Sequence, residues 1–343
     1  MDKNLVLIII FAIFVVSCKK STEPDIVIKD PTEYIWTIDT LAYPGSIQTT
    51  MWTISGSSPT DVYVAGHNDG SFGKMYHFDG KKWEPVNFQI PIGDFYDIWV
   101  FSANDIWAVG EHSRWEPNYT PYTQSIHYNG HDWQEVGTPK KGRLASVWGN
   151  HPGDLWSCGT DKVYHFGGSE WQEVSIPLPA QEIQFGRIRG LSANNVYATC
   201  LKNDMVPPID TTFYYLYHFN GQIWSIMDSA LVTSSNPQPY FGSYLAVIDG
   251  VLYSAGQGVF RLENEHWIVL NQDLALSRIA GSSLDNIYAS GALGTIYHFD
   301  GSGWRQLNPI PGFNHFIGGI WTNAMEVFFV ATDGERTYII HGK

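Results

Sequence analysis

The chain has 343 residues, 44% of them hydrophobic and 15% aromatic, which is ample material for a large packed core. Its 20 Lys and Arg against 34 Asp and Glu leave a formal net charge of -14. That balance excludes recognition by clustered basic residues, whether of a nucleic-acid backbone or of an anionic membrane surface. Thirty-three Gly and 18 Pro beside only 16% charged residues predict many short strands and tight turns in place of helices.

Taken in order, the chain opens with Lys3 and an apolar run from Leu5 to Val16, too short to span a bilayer comfortably, which closes on Val15-Val16-Ser17-Cys18. This resembles the lipobox of bacterial lipoprotein signal peptides. The resemblance implies that residues 1–17 are removed and that Cys18 carries the lipid. It implies a protein anchored in the bacterial cell envelope, at the outer membrane, facing the periplasm or the surface, and touching the membrane through its anchor alone. Residues 18–33, rich in Lys, Ser, Asp, Glu and Pro, read as a flexible tether. Only Cys158 and Cys200 then remain; both sit in apolar runs and are expected to be buried free thiols.

From Tyr34 onward one unit repeats. Its shortest copy is Asp285 to Leu307, DNIYASGALGTIYHFDGSGWRQL. The apolar residue that opens its main run recurs as Val62, Ile106, Leu155, Val196, Val251, Ile287 and Val327. A Gly closes that run at Gly66, Gly110, Gly159, Gly256 and Gly291, with Cys200 and Ala331 in its place elsewhere. The next run ends in His77, His127, His165, His218 and His298, each followed by an aromatic residue, and His341 falls at the same place in the last copy; Arg261 takes the His position once. A tight turn then leads to Trp83, Trp133, Trp171, Trp224, Trp267 and Trp304.

The seventh copy lacks this Trp, and one appears instead at the other end of the chain, as Trp36. A last unit without its fourth strand and an N-terminal segment that supplies one is how a ring of repeats closes. In the second unit the four strands are expected at Ile98 to Phe101, Ile106 to Gly110, Ser125 to Tyr128 and Trp133 to Val136. The fold class is therefore all-β: a seven-bladed β-propeller over residues 34–343, its last blade closed by the N-terminal strand.

The unit S-x-x-D-[VI]-[YW]-x-x-G followed by H-[FY]-[DN]-G-x-x-W resembles propeller repeats common in secreted and lipid-anchored bacterial proteins. The likeness implies a fold and no single activity. Sevenfold repetition spreads the His set around a ring, so it is expected to bond neighbouring turns and not to hold a metal; no cofactor is implied. The repeated Trp residues are expected between blades, and Asp61, Asp105 and Asp154 in turns.

Subtracting this architecture leaves two candidate sites. All long insertions fall on one face: His112 to Gln124, Leu201 to Tyr214, Asp228 to Ser243 and Gln89 to Tyr96. They carry Arg114, Trp115, Tyr119, Tyr122, Tyr240 and Phe241, an aromatic set suited to stacking on sugar rings or anchoring a protein. The second set lies where the chain enters each first strand, at the mouth of the central channel: Asp97, Arg143, Arg187, Arg278 and His315. Three Arg residues there suit a carboxylate or uronate, or else pair with Asp94, Asp97 and Glu182.

No nucleophile elbow, P-loop, HExxH or calcium loop is present. The sequence thus points to a binding propeller without chemistry, with a protein or a glycan as partner. A polysaccharide lyase or hydrolase at the channel mouth, and a structural subunit of an envelope assembly, are the alternatives.

Overall fold

The computed structural model describes residues 28–116, 118–179, 183–206, 209–233 and 240–343. The expected signal peptide, Cys18 and most of the tether lie outside the described residues. Blade 1 is the antiparallel sheet Thr49–Ser58, Asp61–Asn68, Met75–Phe78, Trp83–Pro85. Blade 2 is Asp94–Ser102, Asp105–Glu116, Asn118–Tyr128, Trp133–Glu135; blade 3 is Ser146–His151, Asp154–Gly159, Lys162–Phe166, Trp171–Val174. Blade 4 is Ile183–Ser192, Asn195–Val206, Ile209–Phe219, Trp224–Thr233.

Blades 5 and 6 share one six-stranded sheet, because the strand His266–Ser283 leaves blade 5 and continues as the first strand of blade 6. In blade 5 the expected second and third strands are one element, Val251–Glu263. Its first part pairs with Tyr244–Ile248 and its last with the start of His266–Ser283. Blade 7 is Phe316–Thr322, Val327–Thr332 and Thr337–Gly342, completed by Trp36–Leu41. Each blade's first strand touches those of its two neighbours, and the contacts run from blade 1 to blade 7 and back to blade 1. That closed cycle makes the molecule a seven-bladed propeller.

Closure is antiparallel pairing between the two ends of the chain. Trp36 lies opposite Gly342 and Leu41 opposite Thr337, and the Ile35 N–H donates to the Lys343 carbonyl at 2.8 Å. Docking begins slightly earlier than Tyr34, since Asp30 bonds Arg305 at 2.8 Å and Pro31 is buried.

The repeated residues form one layer. Register places an aromatic residue of the second strand opposite the third-strand His, as in Tyr63 with His77 and Trp107 with His127, and the rings stack with centroids 4.3 and 4.4 Å apart. The imidazole Nε2 reaches the residue at, or one ahead of, the start of the second strand: His77 to Asp61 at 2.8 Å, His127 to Asp105 at 3.0 Å, His165 to Asp154 at 2.7 Å, His218 to Asn195 at 2.9 Å, His298 to Asn286 at 2.9 Å and His341 to Glu326 at 2.7 Å. Each His therefore ties its third strand to the turn ahead of the second, as the repeat predicts. In blade 5 Arg261 takes the His position and pairs with Glu263 of its own strand.

The fourth-strand Trp residues pack against the preceding blade, Trp171 edge-on to Trp107 and Trp224 to Trp156, with interplanar angles of 89° and 72°. Such pairs add about 0.5–1.5 kcal/mol beyond their burial. The glycine that closes the second strand has a steric cause: a Cβ on Gly110 would collide with the Asp94 carbonyl of the adjoining first strand. Cys158 and Cys200 are buried free thiols in one core cluster.

Two expected loops are strands instead. Asp105–Glu116 pairs with Asn118–Tyr128 all the way to Glu116 opposite Asn118, and Asn195–Val206 pairs with Ile209–Phe219 in the same manner. Thr120, Tyr122, Thr123, Phe213, Tyr214 and Tyr215 favour extended backbone, so the insertions prolong the blades as hairpins.

Candidate binding site at the channel mouth

Pairing between first and second strands fixes one equivalent position in every blade. It is Thr53 opposite Ala65, Asp97 opposite Val109, Ser146 opposite Cys158 and Arg187 opposite Thr199. It continues as Tyr244 opposite Ala255, Arg278 opposite Ser290 and Gly319 opposite Val330. A β-bulge precedes this position in blades 1, 2, 4, 6 and 7, where Trp52, Tyr96, Gly186, Ser277 and Gly318 are the extra residues. The bulge brings Trp52 and Tyr96 together as a stacked pair, 5.7 Å apart and 18° from parallel, and Trp52 Nε1 donates to the Phe95 carbonyl at 2.7 Å.

The ring is linked by polar contacts. Asp97 is 1% exposed and accepts from Ser146 Oγ at 2.7 Å, the Val147 N–H at 3.1 Å, Thr53 Oγ1 at 3.2 Å, Arg187 Nη1 at 2.9 Å and Arg189 Nη1 at 3.3 Å. Burial by itself would raise its pKa, but the two guanidiniums, the hydroxyl and the backbone N–H outweigh it and hold the carboxyl below the usual range. Arg187 Nη2 donates to Tyr244 Oη at 3.0 Å, and its guanidinium lies 4.5 Å from the Tyr244 ring centre. Arg278 lies 4.8 Å from the same ring and 5.5 Å from that of Phe316. It donates to the Ser277 carbonyl at 2.7 Å and to the Gly318 carbonyl.

Arg278 pairs with no carboxylate among the described residues. Three guanidiniums, of Arg187, Arg189 and Arg278, therefore face the single carboxylate of Asp97, and the channel holds excess positive charge inside an acidic protein. Above this ring opens a cavity of about 440 Å³ walled by Trp52, Tyr96, Leu201, Tyr244 and Phe316. Arg187 and Tyr244 form its floor, since both also line the chamber of about 200 Å³ below, with Trp99 and Arg189. The mouth opens where second strands turn into hairpins, on the elaborated face.

Of the residues expected at the mouth, Arg187 and Arg278 line it and Asp97 lies beneath. Arg143 does not. It sits three residues ahead of Ser146, 3.7 Å from Glu111, its guanidinium 5.7 Å from the Tyr96 ring. His315 stacks on Tyr338 with centroids 5.1 Å apart and likewise stays out of the lining. Asp94, expected to pair with the rim arginines, belongs to Lys74 and to His67, 2.8 Å away, in a cleft of about 660 Å³ between blades 1 and 2.

On the insertions, Phe241 corrects the expectation of an exposed aromatic. It is 4% exposed and stacks on Trp267, so it is core. Tyr240 is half-buried against Tyr214, 4.2 Å between centroids, and Tyr122 bridges to Lys141 through the backbone. The side chains of Arg114, Trp115 and Tyr119 lie outside the described ones, as does Glu182. Sequence reasoning missed Arg189, Tyr244, Trp52 and Phe316. Arg189 had a signal, since it follows Arg187 by two residues and strand alternation puts both on one face.

No family profile matches the sequence, and no curated protein matches it. Solved structures do. A chain described as YCF48 bound to D1 peptide is 14% identical, with TM-score 0.60 over 93% of this chain and 98% of that one. YCF48 from Cyanidioschyzon merolae is 13% identical, with TM-score 0.54 over 89% and 98%. The WD40 propeller domain of Doa1 is 11% identical, with TM-score 0.60 over 90% and 96%. At these identities the likeness is one of fold: this chain is built as those β-propellers are.

Proposed function

We propose that the chain is a lipid-anchored propeller of the bacterial cell envelope that binds a partner protein through the face carrying its hairpins, without chemistry of its own. The observation that carries this reading is the channel mouth itself. It is an open, largely apolar cavity with two guanidiniums in its lining, and the carboxylate beneath it, Asp97, is already engaged by five donors. Such a lining holds a ligand and offers no free acid–base pair. A propeller of similar fold bound to a peptide adds support, and so do WD40 neighbours. Function carried on elaborated loops above a rigid scaffold is the usual arrangement.

The test uses soluble residues 19–343 as bait for cross-linked capture from envelope extracts, beside a variant in which residues 111–123 are replaced by an Asn-Gly turn. Capture of one specific protein that is lost in the variant is expected. Capture unaffected by the shortened hairpin, or glycan binding without any protein captured, overturns the reading. For the anchor, Cys18→Ala is expected to move the protein from the membrane fraction to the soluble one; unchanged fractionation removes that part.

A further inference from the structure

We infer that the channel mouth reads a side-chain carboxylate flanked by apolar residues on an extended segment of the partner, an inference that rests on the protein-binding reading above. The first argument is charge. Arg187 and Arg189 share Asp97, and Arg278 has only backbone carbonyls and aromatic faces around it. Cations taken from water are stable when paired, and here the second and third guanidiniums lack their counter-ions. Arg278 Nη2 has no protein acceptor among the described residues, and Arg187 Nε is buried without one. A carboxylate entering the mouth meets the open Nη2 edge of Arg278 and lies beside the Arg187 guanidinium, whose two Nη atoms already serve Asp97 and Tyr244.

The wall decides what carries that carboxylate. Trp52, Ile54, Ala145, Leu201 and Phe316 are apolar, and the hydroxyls beside them are those of Thr53, Tyr96, Ser243 and Tyr244. A uronate would leave its ring hydroxyls facing hydrocarbon, whereas Leu or Phe side chains next to an acidic residue bury their surface there. A volume of about 440 Å³ accommodates the side chains of a short segment and not a folded element. Phe316 is 47% exposed at the lip and has no apolar cover of its own, so it is free to take one from the ligand. The net charge of the protein is -14, so a cationic opening stands out against an acidic background.

The experiment measures binding to soluble residues 19–343 by intrinsic Trp fluorescence and calorimetry. The probe is a peptide with Leu-Glu-Phe at its centre and both termini blocked, so that the Glu side chain is its only charge. A Glu-to-Gln twin and trigalacturonate accompany it. The Glu peptide is expected to bind at least tenfold tighter than its twin, with affinity that falls as salt rises. Arg278→Met is expected to abolish that preference while its melting temperature stays close to the parent's. Arg278→Lys keeps the charge without the fork and is expected to retain part of the preference.

Equal binding of the Glu and Gln peptides, undiminished binding by Arg278→Met, binding of trigalacturonate alone, or no binding of any probe overturns the inference. Failure here is distinguishable from failure of the protein-binding reading. Hairpin-dependent capture that persists in Arg278→Met, without Glu over Gln preference, sinks the carboxylate site and leaves protein binding standing. Glu preference with capture indifferent to the hairpin does the reverse.

Discussion

Two layers of this propeller occupy equivalent positions in every blade and obey opposite rules. In the outer layer, the aromatic residue, the His and the turn-opening Asp, Asn or Glu recur in six blades with nearly the same distances. In the inner ring, the equivalent residues are Thr53, Asp97, Ser146, Arg187, Tyr244, Arg278 and Gly319, no two neighbours alike. A position that must only hold a blade to its turn tolerates one solution six times over. A position that faces a shared channel sees six different neighbours across it, so the ring can be differentiated without disturbing any blade. Repetition therefore marks what holds the fold, and its breakdown marks where a ligand is read.

The widest separation between the layers comes from opening the ring. Deleting residues 34–41 removes the strand that pairs with Thr337–Gly342, Tyr34 and Trp36 with it, and uncovers Phe329, against which Trp36 packs. The expected loss exceeds about 5 kcal/mol, comparable to the whole stability of a domain. Near-UV circular dichroism and the thermal transition both disappear if closure works this way. A cooperative melt near the parent temperature would show that the ring holds without its clasp.

How much of this was legible follows the same division. The outer layer could be read because each copy confirmed the others: six His, six Trp and their turns fixed the blade number and the displaced strand at Trp36. The ring could not. Its residues differ, so no copy confirms another, and the bulges before Thr53, Asp97, Arg187, Arg278 and Gly319 shift the phase by one residue from blade to blade. Arg143 and His315 were placed at the mouth because charge was followed instead of register; Ser146 and Gly319 hold those places. The hairpins were read as loops because Pro121 and Asn118 interrupt the apolar pattern, while cross-strand pairing carries the strands past both.

Within the ring the largest single effect is expected at Asp97. Replacing it with Ala leaves Arg187 and Arg189 buried without a counter-ion, at a cost of about 3–5 kcal/mol in urea unfolding. Its folded pKa lies below the unfolded value, so its contribution is complete above about pH 4 and is lost as pH falls through the folded pKa. The parent is therefore expected to lose stability below about pH 4 more steeply than Asp97→Asn does. Parallel acid limbs in the two proteins would mean that Asp97 is not ionised in the ring.

The outer layer should respond smaller and evenly. His77→Ala, His127→Ala and His165→Ala each remove one ring packed on an aromatic neighbour and one bond to a turn carboxylate, for about 1–2 kcal/mol apiece. Agreement among the three sharpens the contrast with the ring. A spread of several kcal/mol between blades would erase it, since the layer would then not be one motif repeated.

The smallest expected effect is the most diagnostic. Arg278→Met gives up two bonds to carbonyls, about 0.5–1.5 kcal/mol each, and its contacts with the Tyr244 and Phe316 rings. Against that it removes a desolvated charge that faces Arg187 and has no carboxylate of its own, and Met fills the space with a flexible apolar chain. The opposing contributions are of similar size, so the net change is expected within about 1 kcal/mol of zero, on either side. Asp97 and Arg278 occupy the same position of two blades; a large loss at the first and none at the second separates a residue that holds the ring from one kept for something that enters it. A loss of about 3 kcal/mol at Arg278, measured by urea unfolding, would place it with Asp97 among the residues that hold the fold.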